Sequence, residues 1–297
     1  MKLLTFKRNE EFALGVELDN KVIDIEKSLS STNNRNIPLG ITEVIQGGKQ
    51  SISILDEHIK KLNLNDDSSF IHSKDELIWG PCVIEPNKII CVGLNYRKHA
   101  DETNSPYPEY PILFNKFNNT LTGHKSKVSI PKNTKKLDYE VELGIVIGKK
   151  VKNVSENEAL DFVFGYCIAN DLSARDLQFM TSQWLLGKSC DDFTPLGPYL
   201  VTADEVGNPQ CLSLKTLVNG HIRQNSNTSD MIFPCSKIIS FISQHMTLNP
   251  GDVILTGTPE GVVLGYPHGE QSYLKPGDKV TLEIEKLGSL VNYFVEG

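Results

Sequence analysis

Apolar residues in this chain fall mostly in short runs, many alternating with polar neighbours at a period of two, and this pattern predicts strands more often than helices. Beyond residue 80 such runs cover Ile89–Val92, Tyr139–Ile147, Phe162–Ala169, Leu214–Val218, His221–Gln224, Asp252–Thr256, Lys279–Glu285 and Leu290–Val295. Asn219-Gly220 between two of these runs is a strong hairpin signal, because a type I′ turn needs positive φ at both central positions. Pro-Gly-Asp marks further turns at 250–252 and 276–278. Helical spacing is confined to Tyr96–Thr103, Ser173–Trp184 and Ser236–His245 in this part of the chain.

The first 80 residues read differently: apolar runs at Leu3–Phe6, Phe12–Leu18 and Lys21–Ile25, a helical pattern over Ile41–Leu62, then a polar break at 63–69. Trp79-Gly80-Pro81 and Glu85-Pro86-Asn87 then punctuate the chain ahead of the Ile89–Val92 run. The expected organisation is therefore a small N-terminal α+β domain at 1–80 and a larger domain at 81–297. The fold class is β-rich α+β rather than a doubly wound α/β sheet, with no internal repeat or low-complexity tract.

Composition narrows the function without fixing it. With 39% apolar and 23% charged residues, the 297-residue chain is ordinary globular protein. A net charge of -7 with no basic stripe argues against nucleic acid as a partner. No apolar run reaches 18 residues and no signal-like segment opens the chain, so neither a membrane span nor export is expected. The six cysteines lack C-x-x-C or zinc-like spacing and read as small buried hydrophobes, which places the protein in a reducing cytoplasm.

The chemistry starts at Asp138-Tyr-Glu-Val-Glu-Leu-Gly144. At strand period Tyr139, Val141, Leu143, Ile145 and Ile147 share one face, while Glu140 and Glu142 project together from the other. A half-exposed strand with an acidic outer face would look the same, but that face continues as Gly144, Val146 and Gly148 and so reads as covered. Covered like charges need a counter-ion. Asp171 ends a second apolar run; it is either an N-cap or a third carboxylate, and Arg175 and Gln178 follow it at i+4 and i+7 as if on one helical stripe. Three carboxylates favour a hard cation, Mg²⁺ or Mn²⁺, with Ca²⁺ as a surrogate.

His99 and Glu102, three residues apart on a short helix, would form a general-base pair, or simply decorate a surface helix; the Pro-rich stretch after them reads as a lid-like loop. Lys188 lies in a loop where its ammonium would hold an oxyanion or be solvated. Thr256-Gly-Thr-Pro-Glu-Gly261 offers Gly257 and Thr258 as a carboxylate cradle, or is a plain turn.

Taken in order, NYRKHADE, LDYEVELGIVIGK, GYCIANDLSARDLQ, GKSCDDFTPLGP, LVNGHIRQNSNTSDMIF and DVILTGTPEGV resemble the fumarylacetoacetate hydrolase family, in its shorter bacterial form, from about residue 85 to the end. The resemblance implies a mixed β-roll catalytic domain, a homodimer, and Mg²⁺ or Mn²⁺ on Glu140, Glu142 and Asp171. It also implies substrate contacts at Arg175, Gln178, Lys188 and Thr258, and a catalytic pair at His99 and Glu102. Val141 and Thr194 depart from the residues many members carry, Gly and Cys, which leaves substrate preference open. The activity expected is cleavage of a C–C bond by water in an acylpyruvate- or fumarylpyruvate-like acid through an enolate. Isomerisation of a 2-hydroxy-dienedioate and decarboxylation of oxaloacetate are alternatives within the family. A metal-free, catalytically inactive binding or scaffold protein is the alternative of another class.

Overall fold

The apolar runs on either side of the two-glutamate motif pair with each other along their whole length. In the computed structural model, which describes residues 1–31, 36–64 and 68–297, Val141–Ile147 runs antiparallel to Val163–Asn170, from Val141 opposite Asn170 to Val146 opposite Gly165. Both strands are almost wholly buried, which is why they read as nearly continuous apolar sequence. The polar break at 63–69 includes residues 65–67, which lie outside the described residues.

Around this pair the described residues form an eleven-stranded sheet. Its order is Ile71–Ser73, Lys21–Asp24, Glu11–Leu18, Lys2–Arg8, Thr194–Thr202, Val163–Asn170, Val141–Ile147, Val253–Leu255, Ile89–Gly93 and Ile112–Lys116, with Leu121–Thr122 beside Thr194–Thr202. Most neighbours are antiparallel, but Val253–Leu255 runs parallel to Ile89–Gly93. The N-terminal strands join this sheet through Leu3 opposite Leu200 and Lys2 opposite Val201. A second sheet of five strands, His221–Asn227, Ser213–Val218, Lys279–Ile284, Gly288–Glu296 and Lys127–Ile130, packs on one face. The β-rich α+β class is thus observed.

The two faces bury separate apolar clusters. Tyr139, Val141, Leu143, Ile145 and Ile147, the face read from period two, meet Leu214, Val280, Leu282 and Phe294 of the second sheet. Val146, Cys167, Ala169 and Leu255 face the other way, in a cluster with Ile41, Val44, Ile45 and Leu55 of helix Ile41–Lys60. That helix presents one apolar stripe and is interrupted at Gly48, whose φ of 56° lies outside helical space. Cys82, Cys91, Cys167 and Cys235 are buried free thiols. No helix among the described residues is long and apolar enough to cross a membrane.

One expected helix is absent, and two strands have no counterpart in the pattern of the sequence. The helix over Ser173–Trp184 does not form: Ser173–Ala174 pairs with Leu137–Asp138 instead, and single turns at Arg175–Gln178 and Leu185–Lys188 flank an exposed bend. Gly187 explains how the turns meet, because a Cβ there would lie 2.4 Å from the Gln178 nitrogen and 2.5 Å from the Ala174 oxygen. Thr194–Thr202, a central strand, went unread because Pro195 and Pro198 argue against one. Its pairing with Val163–Asn170 is irregular between Tyr166 and Ile168, which lets Pro198 fall where no ladder is needed. The strand Ile112–Lys116 was likewise hidden behind the proline-rich stretch.

Where Trp79 meets the second sheet, His124 packs edge-on at 4.9 Å and its Nδ1 accepts the Val291 N–H at 3.1 Å. Burial, with help from Lys125, lowers the His124 pKa from 6.5 to about 4. Below about 6.5 the unfolded chain therefore binds a proton that the folded chain refuses until about 4, so stability falls as pH drops across that window. The loss attributable to this ring across the window is on the order of 3 kcal/mol. Urea midpoints at pH 7 and pH 4.5 should show a smaller acid loss for His124→Asn, which keeps an acceptor but does not titrate. Equal losses in the two proteins would refute the assignment.

Candidate active site

Backbone pairing, not a helical stripe, brings the three carboxylates together. Glu140 N–H donates to Asn170 Oδ1 at 3.0 Å, and Asp171 N–H donates to the Glu140 carbonyl at 3.0 Å, just beyond the paired Val141 and Asn170. Asp171 caps nothing, since the turn at Arg175–Gln178 is preceded by Ala174. All three acids are at most 5% exposed, so the reading of an acidic outer face does not apply. One ligand oxygen from each of Glu140, Glu142 and Asp171 lies within 4.8 Å of the others. Two oxygens across a hard cation with bonds of about 2.1–2.4 Å lie roughly 4.2–4.8 Å apart, so one ion can reach all three.

The surrounding charges are arranged unevenly. Arg175 Nη2 sits 2.6 Å from Glu140 Oε1, and Lys188 Nζ bridges Glu140 Oε2 at 2.8 Å and Asp171 Oδ2 at 2.6 Å. Lys188 is 2% exposed, so it is no solvated loop lysine. Lys116 Nζ donates to Asp171 Oδ1 at 2.6 Å and to the carbonyls of Phe193 and Leu172 at 2.7 and 3.3 Å. Burial alone would raise the Glu140 carboxyl, but Lys188 and Arg175 outweigh it and hold it near 2. Glu142 behaves oppositely: burial, then Asp171 and Glu140, push its pKa well above the usual range. Among the described residues Glu142 meets no cation and accepts only the Gly257 N–H, at 2.7 Å. One carboxylate in excess, on all-oxygen donors, is what a divalent Mg²⁺ or Mn²⁺ ion would offset, with one positive charge left over for an anionic ligand.

Residues from four further segments complete the wall of a cavity of about 200 Å³. Arg175 Nη1 donates to Gln178 Oε1 at 2.9 Å, so these two do share a turn although the longer stripe fails. His99 Nδ1 lies 2.7 Å from Glu102 Oε1, and Glu102 Oε2 accepts the Gly261 N–H at 2.9 Å. The pair thereby ties helix Arg97–Glu102 to the turn after Val253–Leu255. In that turn Gly257, with φ of 98°, cannot carry a side chain, since a Cβ would lie 2.7 Å from the Asn95 Cβ. Its N–H serves Glu142 rather than standing free as a cradle, whereas Thr258 does face the cavity, its Oγ1 accepting from Gln224 Nε2 at 2.9 Å.

Sequence reasoning passed over three residues that hold this arrangement. Asp138, fully buried, accepts from Arg175 Nε and from the Tyr139, Val263 and Leu264 N–H groups, joining Arg175 to the 262–265 segment. Its signal was present: a third acid in a strand otherwise too apolar to face water. Gln224 accepts from Val141 N–H and donates to Thr258, and Lys116 has the contacts given above; neither carries a local pattern that would single it out.

The model of the fumarylacetoacetate hydrolase C-terminal domain matches residues 88–295, a span that holds every residue of this cavity wall. A fumarylacetoacetate hydrolase domain-containing protein 2 homolog of Dictyostelium discoideum is 41% identical over 308 residues, covering 98% of this chain and 96% of that protein. A mitochondrial oxaloacetate tautomerase of Xenopus laevis is 39% identical, covering 98% and 89%. Maleylpyruvate hydrolase from Sphingobium sp. SYK-6, solved with manganese (II) and pyruvate, superposes over the full length of both chains with a TM-score of 0.80 at 28% identity.

Glu142→Gln should leave metal-free protein as stable as the parent or more so, because it removes a buried carboxyl that burial disfavours as an anion. Saturating Mn²⁺ should stabilise the parent by about 3–4 kcal/mol at 100–1,000 times its Kd, and the variant hardly at all. Melting curves with Mn²⁺ and with EDTA read both effects; a parent indifferent to metal would remove the ion from this site.

Proposed function

Because the chain belongs to the fumarylacetoacetate hydrolase family, we propose that it enolises a small 2-oxo acid, with oxaloacetate interchanging between keto and enol forms as its substrate. The observation that carries this reading is one small cavity onto which the three carboxylates, Arg175, Lys188 and His99 all open. A divalent ion held by Glu140, Glu142 and Asp171 would polarise the acid's carboxylate and adjacent carbonyl. Arg175, fixed from behind by Asp138, and Gln178 offer donors to an anionic carboxylate. The Lys188 ammonium stands beside Glu140 and Asp171, where negative charge develops on the carbonyl oxygen during enolisation. With Glu102 accepting from Nδ1–H, His99 keeps Nε2 as the atom that takes a proton from the carbon next to the carbonyl and passes it to the oxygen of the enolate, with the two ends exchanged in the reverse direction.

The same imidazole could instead activate water, which gives the second reading: hydrolytic C–C cleavage of an acylpyruvate. The His99–Glu102 pair and the likeness to maleylpyruvate hydrolase favour it. Decarboxylation of oxaloacetate and isomerisation of a 2-hydroxy-dienedioate draw on the same groups.

A turnover panel with Mg²⁺ or Mn²⁺ separates these readings. Oxaloacetate should lose its enol absorbance without release of pyruvate or CO₂, while acylpyruvates should yield little pyruvate. His99→Asn should lower tautomerisation by about 10²- to 10⁴-fold while the affinity for oxalate is kept. Full turnover by that variant, or pyruvate as the main product, would overturn the proposal.

A further inference from the structure

Gly93, Phe114 and Trp184 line the same cavity, and no step above uses them. Trp184 lies in the bend between the Arg175–Gln178 and Leu185–Lys188 turns. Its six-membered ring rests on bare backbone: a Cβ on Gly93 would come within 2.6 Å of Cζ3 and 2.9 Å of Cη2. The indole is also braced edge-on by Phe114, with centroids 5.3 Å apart and planes at 68°. The Lys188 ammonium stands 5.0 Å from the Phe114 centroid, so this aromatic wall begins beside the charged groups. It forms one side of the cavity because Gly93 leaves room for the ring where a side chain would displace it.

We infer that Trp184, held against Gly93 and Phe114, sets the upper length of the substrate, admitting 2-oxo acids of about four or five carbons and excluding longer acyl tails. This rests on the enolisation reading above and names the size class it would act on. Volume supports it. A dry cavity of about 150 Å³ holds the six carbons of benzene, so one of about 200 Å³ holds roughly eight or nine non-hydrogen atoms, the size of oxaloacetate.

Charge supports it independently. The cationic side chains on the cavity wall are Arg175 and Lys188, and both stand with the carboxylate cluster. Trp184, Phe114, Ile112 and Leu264 are apolar, and Thr103 and Ser105 add only hydroxyls. Both carboxylates of a four-carbon diacid stay near the cations. The distant carboxylate of a longer dienedioate would be desolvated against an indole without a counter-ion.

The test is calorimetric titration of Mn²⁺-loaded protein with oxalate, pyruvate, 2-oxobutyrate, 2-oxohexanoate and 2-oxooctanoate. The parent should bind oxalate and the short acids and lose about tenfold or more in affinity by the eight-carbon acid, whose tail exceeds what the cavity holds. Trp184→Ala should raise the ratio of long-acid to short-acid affinity by about tenfold or more, and Trp184→Phe should fall between. The ratio is read within each protein, so a general weakening cancels. A parent that binds the eight-carbon acid as well as pyruvate, or an unchanged ratio in both variants, overturns the role of Trp184 while leaving the enolisation reading intact. A parent that does not bind oxalate at all overturns that reading, and the size limit with it.

Discussion

Buried carboxylates dictate the construction of this protein's interior. Asp138, Glu140, Glu142 and Asp171 lie at one end of a strand pair with almost no access to water. Removing several like charges from solvent costs several kcal/mol each unless partners replace the water. The chain supplies Lys116, Arg175 and Lys188 from three separate segments, and the main chain supplies the rest. The balance stops one charge short at Glu142, which is the chemical argument for an ion. A cluster so nearly compensated can stay folded without metal.

The same pairing decides which side chains can reach a substrate. Arg175 is gripped by Asp138 on one side and reaches Glu140 and Gln178 on the other, so its guanidinium has little rotational freedom left. Glu102 orients His99 through one oxygen and anchors the Gly261 turn through the other. Each of these groups is thus positioned by a second group that is itself tied to the main chain, the kind of preorganisation that spares charged groups from reorganising.

How much of this could be read from the residues depended on range. The strands, the face carrying Tyr139 to Ile147, and the projection of Glu140 beside Glu142 are local consequences of period two, and the structure agrees with them. Asp171 was recognised as a partner for the wrong geometric reason: a helical stripe was read where cross-strand pairing operates. The Ser173–Trp184 helix failed because Ser173 and Ala174 found partners roughly 35 residues back, at Asp138 and Leu137, which no local propensity encodes. Lys116 was invisible for the same reason, since its contacts come from chain some 55 to 77 residues away. Thr194–Thr202 was hidden by prolines that only an irregular ladder tolerates.

The union of the N-terminal strands with the main sheet has a further consequence. Thr194–Thr202 is flanked on one side by Val163–Asn170 and on the other by Lys2–Arg8, and Phe193, just before it, holds Lys116. The N-terminal strand therefore guards the edge at Leu200 and Val201, as Leu121–Thr122 guards it at Thr194 and Pro195. Without it, a strand tied directly to the charged interior would offer its unpaired amides to passing chains, and sheet extension between molecules would compete with folding within one.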